Sequence, residues 1–386
     1  MISKFAVAAL LSVSLLHADA QLPYQKESQT SFQNEVLGQK SPFSEIKIHG
    51  KTAGYLEKID ENTVNINDIF SVDLRSDERF LAALDNSIQF YAGILDTEES
   101  FKYGEESYTP TQMFHSLILF RKLAAENVSY EQFLSNLQMH FDIYLTRSEN
   151  KDSKLTGYYT PEVKASITKN GIFNHPLYLT KPSIKVSKPD FYVQSRDEIR
   201  KLEMEGAGIL SFDDGKTLNI QYGGRKTVLD SILAKKKSVK KVVMKNGKKK
   251  VVIAKVKPKK ETKAVFYIST KGPLGALSTQ LIPGYTAAMD MSVTPVGSLV
   301  YVKSGKYTDE VFSQNGNMDA IYKKPTFESF MLAQDTGGAI KGVGRVDIYC
   351  GEGNAAKNCT YDVSSRGSVY LIVAKKDRLK EFFTDN

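Results

Sequence analysis

The 386-residue chain contains no tryptophan, two cysteines and five histidines, and no apolar run long enough to span a bilayer. Without tryptophan, stacking on a flat ligand falls to its tyrosines and phenylalanines. His49, His115, His140 and His175 are scattered without the short spacings of a metal centre, so no metal or cofactor is expected. The apolar run Phe5 to Leu16 is short of the roughly twenty residues that a membrane-spanning helix needs. With Lys4 before it and Ala18-Asp19-Ala20 after it, the run reads as an export signal cleaved near Ala20-Gln21. No cysteine stands at that point to carry a lipid, so the expectation is a soluble periplasmic protein with no transmembrane segment. In an oxidising compartment Cys350 and Cys359 can pair; the competing reading, a metal site, needs further ligands.

What is present is enough apolar residue, 41%, for a substantial core, and the length suggests two domains. The net charge of +8 is unevenly placed: Lys235 to Lys263 holds fourteen lysines against Glu261 alone, leaving the rest of the chain mildly acidic. Within that segment, Val242-Val243-Met244 and Val251-Val252-Ile253 flank Asn246-Gly247, which predicts a two-stranded hairpin, the alternative being a disordered basic loop. Its local charge suggests docking on an anionic surface or an acidic protein partner, the alternative being a solvated ribbon. Nucleic acid is not expected as a substrate.

Residues from about Ser76 to Leu145 carry apolar positions at helical spacing, as in Phe80 to Leu84 and Met113 to Phe120, and Ser129 reads as a helix cap. From Thr156 onward short runs rich in Val, Ile, Tyr and Phe are broken by Gly, Pro and Asn, which predicts strands. Helicity is expected to return only at Lys375 to Phe383. The fold class is therefore α+β, mainly β with N-terminal helices.

Three segments can carry chemistry. Gln334-Asp335-Thr336-Gly337-Gly338-Ala339-Ile340-Lys341-Gly342 leads through Val343-Gly344-Arg345 to Val346-Asp347-Ile348-Tyr349, placing two carboxylates around a glycine-rich turn. Apolar neighbours of Asp347 would keep a carboxyl protonated, as cleavage of a glycosidic bond requires, although a tight turn with solvated aspartates fits the same residues. Thr156-Gly157-Tyr158-Tyr159-Thr160-Pro161 offers rings and hydroxyls suited to a sugar, or to core packing. Glu205-Gly206-Ala207-Gly208 and Gln221-Tyr222-Gly223-Gly224 flank Asp213-Asp214-Gly215-Lys216 and predict a hairpin.

In order, these segments resemble the motifs of the lytic transglycosylase A family: Thr-Gly-Tyr-Tyr-x-Pro, Gln-Gly-Ser-Gly, Tyr-Ala/Gly-Gly, then Asp-x-Gly-Gly-Ala-Ile-Lys-Gly with a following Asp. The resemblance continues through Leu281-Ile282-Pro283-Gly284 and Met289 to Gly297. It implies a double-psi β-barrel, formed by residues 21–162 and 265–386 together with the helical lead-in, and an inserted β domain over 163–264, with a glycan groove between them. It further implies cleavage of peptidoglycan strands with formation of 1,6-anhydro ends, by Asp347 acting as both acid and base. Asp335 and Asp290 match other acidic positions near the family's active site. Thr156, Tyr158, Tyr159, Glu205, Gly206, Tyr222, Gly337 and Gly338 would contact sugar. Glu205 departs from the family's usual glutamine.

Overall fold

The computed structural model describes residues 56–147, 153–180, 189–229, 238–245, 248–255, 260–304 and 327–383. The expected export signal lies outside them.

The chain begins with β1 (Leu56–Lys58) and α1 (Ile66–Ile69), followed by α2 (Glu78–Ala92). A small hairpin, β2 (Phe101–Tyr103) and β3 (Glu106–Tyr108), precedes α3 (Pro110–Ala125) and α4 (Tyr130–His140). Each of these helices starts where the sequence supplies an acceptor for its free N–H groups. Asp77 accepts from Arg79 and Phe80, Thr109 forms a capping box with Gln112 ahead of Pro110, and Ser129 accepts from Gln132. The predicted helical stretch is interrupted twice, by the β2–β3 hairpin and by β4 (Phe141–Thr146), which starts directly where α4 stops. The run Phe141-Asp142-Ile143-Tyr144 is almost wholly buried between neighbours, and that favours a strand over a helix with one wet face.

Next come β5 (Ser153–Thr160), β6 (Glu162–Ser166), β7 (His175–Leu179) and β8 (Phe191–Val193), then α5 (Arg196–Glu205), β9 (Ala207–Ser211) and β10 (Thr217–Leu229). The predicted hairpin across Asp213 to Lys216 is β9–β10, with Thr217 opposite Ser211. Helix α5 was not expected, yet Ser195 and Glu198 form a capping box at its start. The lysine-rich segment supplies β11 (Ser238–Lys245) and β12 (Lys248–Lys255), which pair in antiparallel register down to Lys245 opposite Lys248, as the Asn-Gly signal predicts. Then follow β13 (Lys260–Ile268), β14 (Thr286–Met289), β15 (Leu299–Ser304), β16 (Glu328–Asp335), β17 (Arg345–Glu352), α6 (Gly353–Asp362), β18 (Ser365–Ala374) and α7 (Lys376–Phe383). Helix α6 is a second unexpected helix. It has no side-chain cap to announce it, and a disulfide between Cys350 on β17 and Cys359 ties it to the sheet. The pairing removes the metal reading of the two cysteines.

Two rings of strands result. β18, β15, β16, β14, β17 and β5 run in that order, and β18 also pairs with β5, closing the ring; β4 and β1 extend the sheet from β18. Two of its pairs are parallel, β14 with β16 and β17 with β5. The second closed barrel is β10-β13-β7-β8-β6-β9. Its small core joins Val163, Leu177, Val193, Leu202, Leu210, Ile220 and Phe266. The larger core binds helices to the first ring through Phe70, Phe80, Phe120, Tyr301 and Phe330, whose rings meet edge-on or tilted at 4.8–6.1 Å, apart from the stacked Phe70–Phe330 pair. A fully buried Phe contributes ~2–3 kcal/mol, so these rings dominate the helix-to-sheet contact. The one polar side chain in their layer on β16 is satisfied: Gln334 Nε2 donates to the Ala83 carbonyl (2.6 Å) and to Ser87 Oγ (2.9 Å) on α2. Among the described residues no helix is long and apolar enough to cross a membrane.

Candidate active site

Register places the site. Ala288 on β14 is the partner of Asp335 on one side and of Asp347 on the other, and Asp347 is in turn the parallel partner of Thr156 on β5. Side chains of register partners project from the same face, so Asp335, Ala288, Asp347 and Thr156 form one row across four strands, with only a methyl group between the two acids.

Asp347 was expected among apolar neighbours. Its backbone has them, since Val346 and Ile348 are buried on the opposite face, but its carboxylate meets polar groups. Oδ1 accepts from the Thr156 hydroxyl and from Arg345 Nε at 3.1 Å. The side chain stays 17% exposed, and Oδ2 has no hydrogen bond among the described residues. Arg345 was absent from the expected site, although two residues along a strand return to the same face and its spacing from Asp347 announces it.

The carboxyl that burial perturbs most is Asp335. Desolvation raises it to about 6, against the opposing pull of the Tyr158 hydroxyl and the Thr336 and Ala276 N–H groups. Those donors lie at 2.7, 2.9 and 3.1 Å. Both of its oxygens are therefore occupied from within the protein.

Asp290 stands apart from this pair in its bonding. Oδ1 takes the Ser292 N–H (3.0 Å) and hydroxyl (2.7 Å), and Oδ2 takes the Gly342 N–H (2.7 Å). Burial acts to raise its carboxyl, but these donors hold it below the usual range. It anchors the glycine-rich turn. In that turn Gly342 and Gly344 have φ of 87° and 74°, which L side chains rarely adopt, and the Gly344 carbonyl receives the Lys154 N–H at the start of β5. Gly338 faces open space, whereas a Cβ at Gly337 would lie 3.2 Å from Ile340.

The paired tyrosines separate, because consecutive strand residues point to opposite faces. Tyr158 reaches Asp335, and its ring lies 5.2 Å from that of Tyr349. Tyr159 is buried, with Lys201 Nζ of α5 5.1 Å above its ring, so its face is already covered. On the second barrel, Glu205 ends α5 and Gly206 follows in the left-handed conformation, φ 77°. Burial raises the Glu205 carboxyl, the Tyr159 N–H and Lys201 pull it down, and the charge of Asp347 raises it further. The Gly206 carbonyl accepts the Tyr222 N–H at 2.8 Å, while the Tyr222 hydroxyl donates to Glu203, which Arg225 also grips at 2.6 and 2.9 Å.

A second connection between the rings was not foreseen. The Gln221 amide on β10 spans the backbone of Leu274, donating to its carbonyl (2.7 Å) and accepting from its N–H (3.1 Å). Two residues on, the Ala276 N–H bonds Asp335. Elsewhere, a cavity of about 750 Å³ is lined by Lys58, Asp142, Lys375 and Tyr108, but its cations are paired, Lys58 with Asp142 and Lys375 with Glu61. No group of three or more His, Cys, Asp or Glu among the described residues could hold a metal ion.

Residues 285–373, which include β14 to β17 and β18 as far as Val373, match the 3D domain. In sequence the chain is 29% identical over 237 residues to the membrane-bound lytic murein transglycosylase A homolog of Buchnera aphidicola subsp. Schizaphis graminum, covering 53% of this chain and 61% of that protein. The matched segment thus spans less than two thirds of that relative's length. In structure the chain is similar to the membrane-bound lytic murein transglycosylase of Agrobacterium tumefaciens, with TM-score 0.53 and 16% identity over 83% of this chain and 98% of that one. It is similar also to the E. coli MltA structure with bound chitohexaose, with TM-score 0.52 and 17% identity over 84% and 96% of the two chains. The 3D domain, the sequence likeness and the two-ring architecture make this chain similar to the lytic murein transglycosylase A proteins, whose fold it shares.

Proposed function

We propose that this protein is an exported lytic transglycosylase that cleaves the β-1,4 bond between N-acetylmuramic acid and N-acetylglucosamine in peptidoglycan and leaves 1,6-anhydro ends. The observation that carries the reading is Asp347, which holds Oδ1 on Thr156 and Arg345 and has no hydrogen bond on Oδ2 among the described residues. In this reading the rings are a catalytic domain and an inserted domain over about 163–264, with the glycan between them. The leader ends near Ala20-Gln21 and the mature protein works in the periplasm. The E. coli relative's complex with chitohexaose supports a groove for chains of N-acetylated sugars.

The chemistry needs one group that gives a proton and takes one back. Protonated on Oδ2, Asp347 hands its proton to the glycosidic oxygen as the bond to C1 of the muramyl residue breaks. The resulting carboxylate then removes the proton of the same sugar's C6 hydroxyl while that oxygen closes on C1. The proton is returned and no water is consumed. The nucleophile comes with the substrate and gains from proximity, so the second carboxylate of an ordinary glycosidase is unnecessary. Thr156 and Arg345 fix the carboxyl, Tyr158 and the Asp290-anchored turn shape the wall, and Glu205 with the Gly206 backbone closes the groove from the other side.

A two-carboxylate hydrolase would need Asp335 to activate water. The three internal donors on Asp335 speak against that role. A wall-binding scaffold would hold glycan without cutting it. Digestion of purified sacculi and mass analysis of the soluble products separates the three: anhydro ends support the proposal, reducing ends the hydrolase, and binding without release the scaffold.

The β11–β12 ribbon has lysine at seven of its sixteen strand positions. We assign it a docking role on anionic envelope material. Removing residues 235–263 should weaken sedimentation with sacculi at low salt; unchanged sedimentation would refute that role.

A further inference from the structure

Two residues before the Asp347–Thr156 pair, the register brings three cations together. Arg345 on β17 is the partner of Lys154 on β5, and Lys154 is the partner of Arg366 on β18. All three lie on the face that presents Asp347 and Thr156, since positions 345 and 347, and 154 and 156, differ by two. The burial pattern agrees: Arg345 and Asp347 are half-buried around buried Val346, while Lys154 and Arg366 are exposed beside buried Leu155 and Ser365.

Arg345 spends Nε on Asp347, but its two terminal amino groups make no hydrogen bond or ion pair among the described residues. The Lys154 and Arg366 side chains likewise have none there. Strands in a sheet are spaced about 4.8 Å apart, so the row spans roughly 10 Å. Beyond Arg345 Nε, the cations of this row have no anionic partner among the described residues, and the row begins on the partner of Asp347, where an anion on a bound ligand could complete it. A guanidinium fork with its terminal donors open suits a carboxylate in particular.

We propose that Arg345, Lys154 and Arg366 form a strip that binds carboxylates on the side arm of the muramyl residue held at Asp347, and so selects acidic over neutral glycan. The inference rests on the transglycosylase reading. Two sources offer that chemistry: the free lactyl carboxylate of a peptide-free strand, and the carboxylates of an attached stem peptide.

The test compares kcat/KM for anhydro-product release on matched glycans, peptide-free with the lactyl arm as acid or amide, and peptide-bearing with the stem carboxylates free or amidated. The intact protein is compared with Lys154→Gln, Arg366→Gln and the double variant, exposed positions at which folding is expected to survive. Charge-assisted hydrogen bonds predict a preference of about tenfold or more for an acid over its amide, expressed in KM, weakened by salt and reduced severalfold in the double variant. Preference within the peptide-free pair assigns the lactyl source, and within the peptide-bearing pair the stem. Equal rates on acid and amide in both pairs, or a preference that survives the double variant, overturns the proposal while leaving the transglycosylase intact. Failure to cut any of the four glycans refutes the enzyme reading itself. Arg345→Lys, which keeps the charge and loses the fork, should retain part of the preference; an equal fall on every substrate would show that Arg345 serves only to position Asp347.

Discussion

Asp335 and Asp347 flank a single residue: each is the register partner of Ala288, one across a parallel pair and the other across an antiparallel pair. The two carboxyls share a row and differ in bonding. Asp335 is enclosed by three donors, whereas Asp347 has no hydrogen bond on Oδ2 among the described residues, and the proposed division into a positioning acid and a proton-transferring one rests on that difference.

The pH dependence of stability should follow from Asp335. Burial lifts its carboxyl from the ordinary 3.8 to about 6. The folded protein therefore binds a proton at higher pH than the unfolded chain does, so this residue's contribution falls as pH rises from about 4 to about 6 and is flat on either side. Asp335→Asn removes that slope. Urea midpoints across this range should show the wild type losing up to about 3 kcal/mol relative to the variant as pH rises; parallel curves would contradict the burial argument.

Gly157 should not tolerate a methyl group. A Cβ there would fall 2.7 Å from Val363 Cγ2, 2.8 Å from the Thr360 backbone and 3.1 Å from the Cys350 sulfur. Gly157→Ala must push β5 away from α6, at a cost of about 1–3 kcal/mol. Because Thr156 and Tyr158 lie on either side, activity should fall more steeply than the thermal midpoint suggests.

Reducing the disulfide frees α6 from β17 three residues beyond Asp347. Loss of so short a crosslink is expected to lower stability by about 2–3 kcal/mol. Thermal unfolding with and without reductant, alongside Cys359→Ser, measures this; identical midpoints would mean that packing alone holds α6.

Gln221 couples the rings through Leu274 and Ala276 to Asp335. Gln221→Leu leaves a half-buried backbone N–H and C=O without their partner, costing about 1–3 kcal/mol. The expected kinetic result is a raised KM with a smaller change in kcat, since the chemistry stays on β17 while the groove wall loosens.

Local signals made part of this molecule legible in the sequence. Ser129 as a cap, the pairing of the β-branched runs on either side of Asn246-Gly247 and the strand around Asp347 each depend on a few adjacent residues, and the cap, the strand pairing and the strand are found as read. Tyr158 and Tyr159 show where motif reading stops: the adjacent pair looks like one sugar platform, but the two-residue strand period sends one ring to Asp335 and the other beneath Lys201. Helix α6 has no cap and is held by a crosslink and by the space that Gly157 leaves. The Gln221–Leu274 clasp joins residues 53 positions apart, and no local pattern encodes it. Arg345 was within reach, needing only the alternation of β17 followed back from Asp347.

In the proposed reaction one carboxyl, Asp347, both donates and recovers the proton. The most direct measurement is the rate of anhydro-muropeptide release from purified peptidoglycan by Asp347→Asn beside the wild type. An amide cannot cycle a proton through that position, so anhydro products are expected from the wild type and a loss of at least about a hundredfold in the variant, whose circular dichroism and thermal midpoint stay close to those of the parent. Undiminished release by a folded Asp347→Asn protein would contradict it.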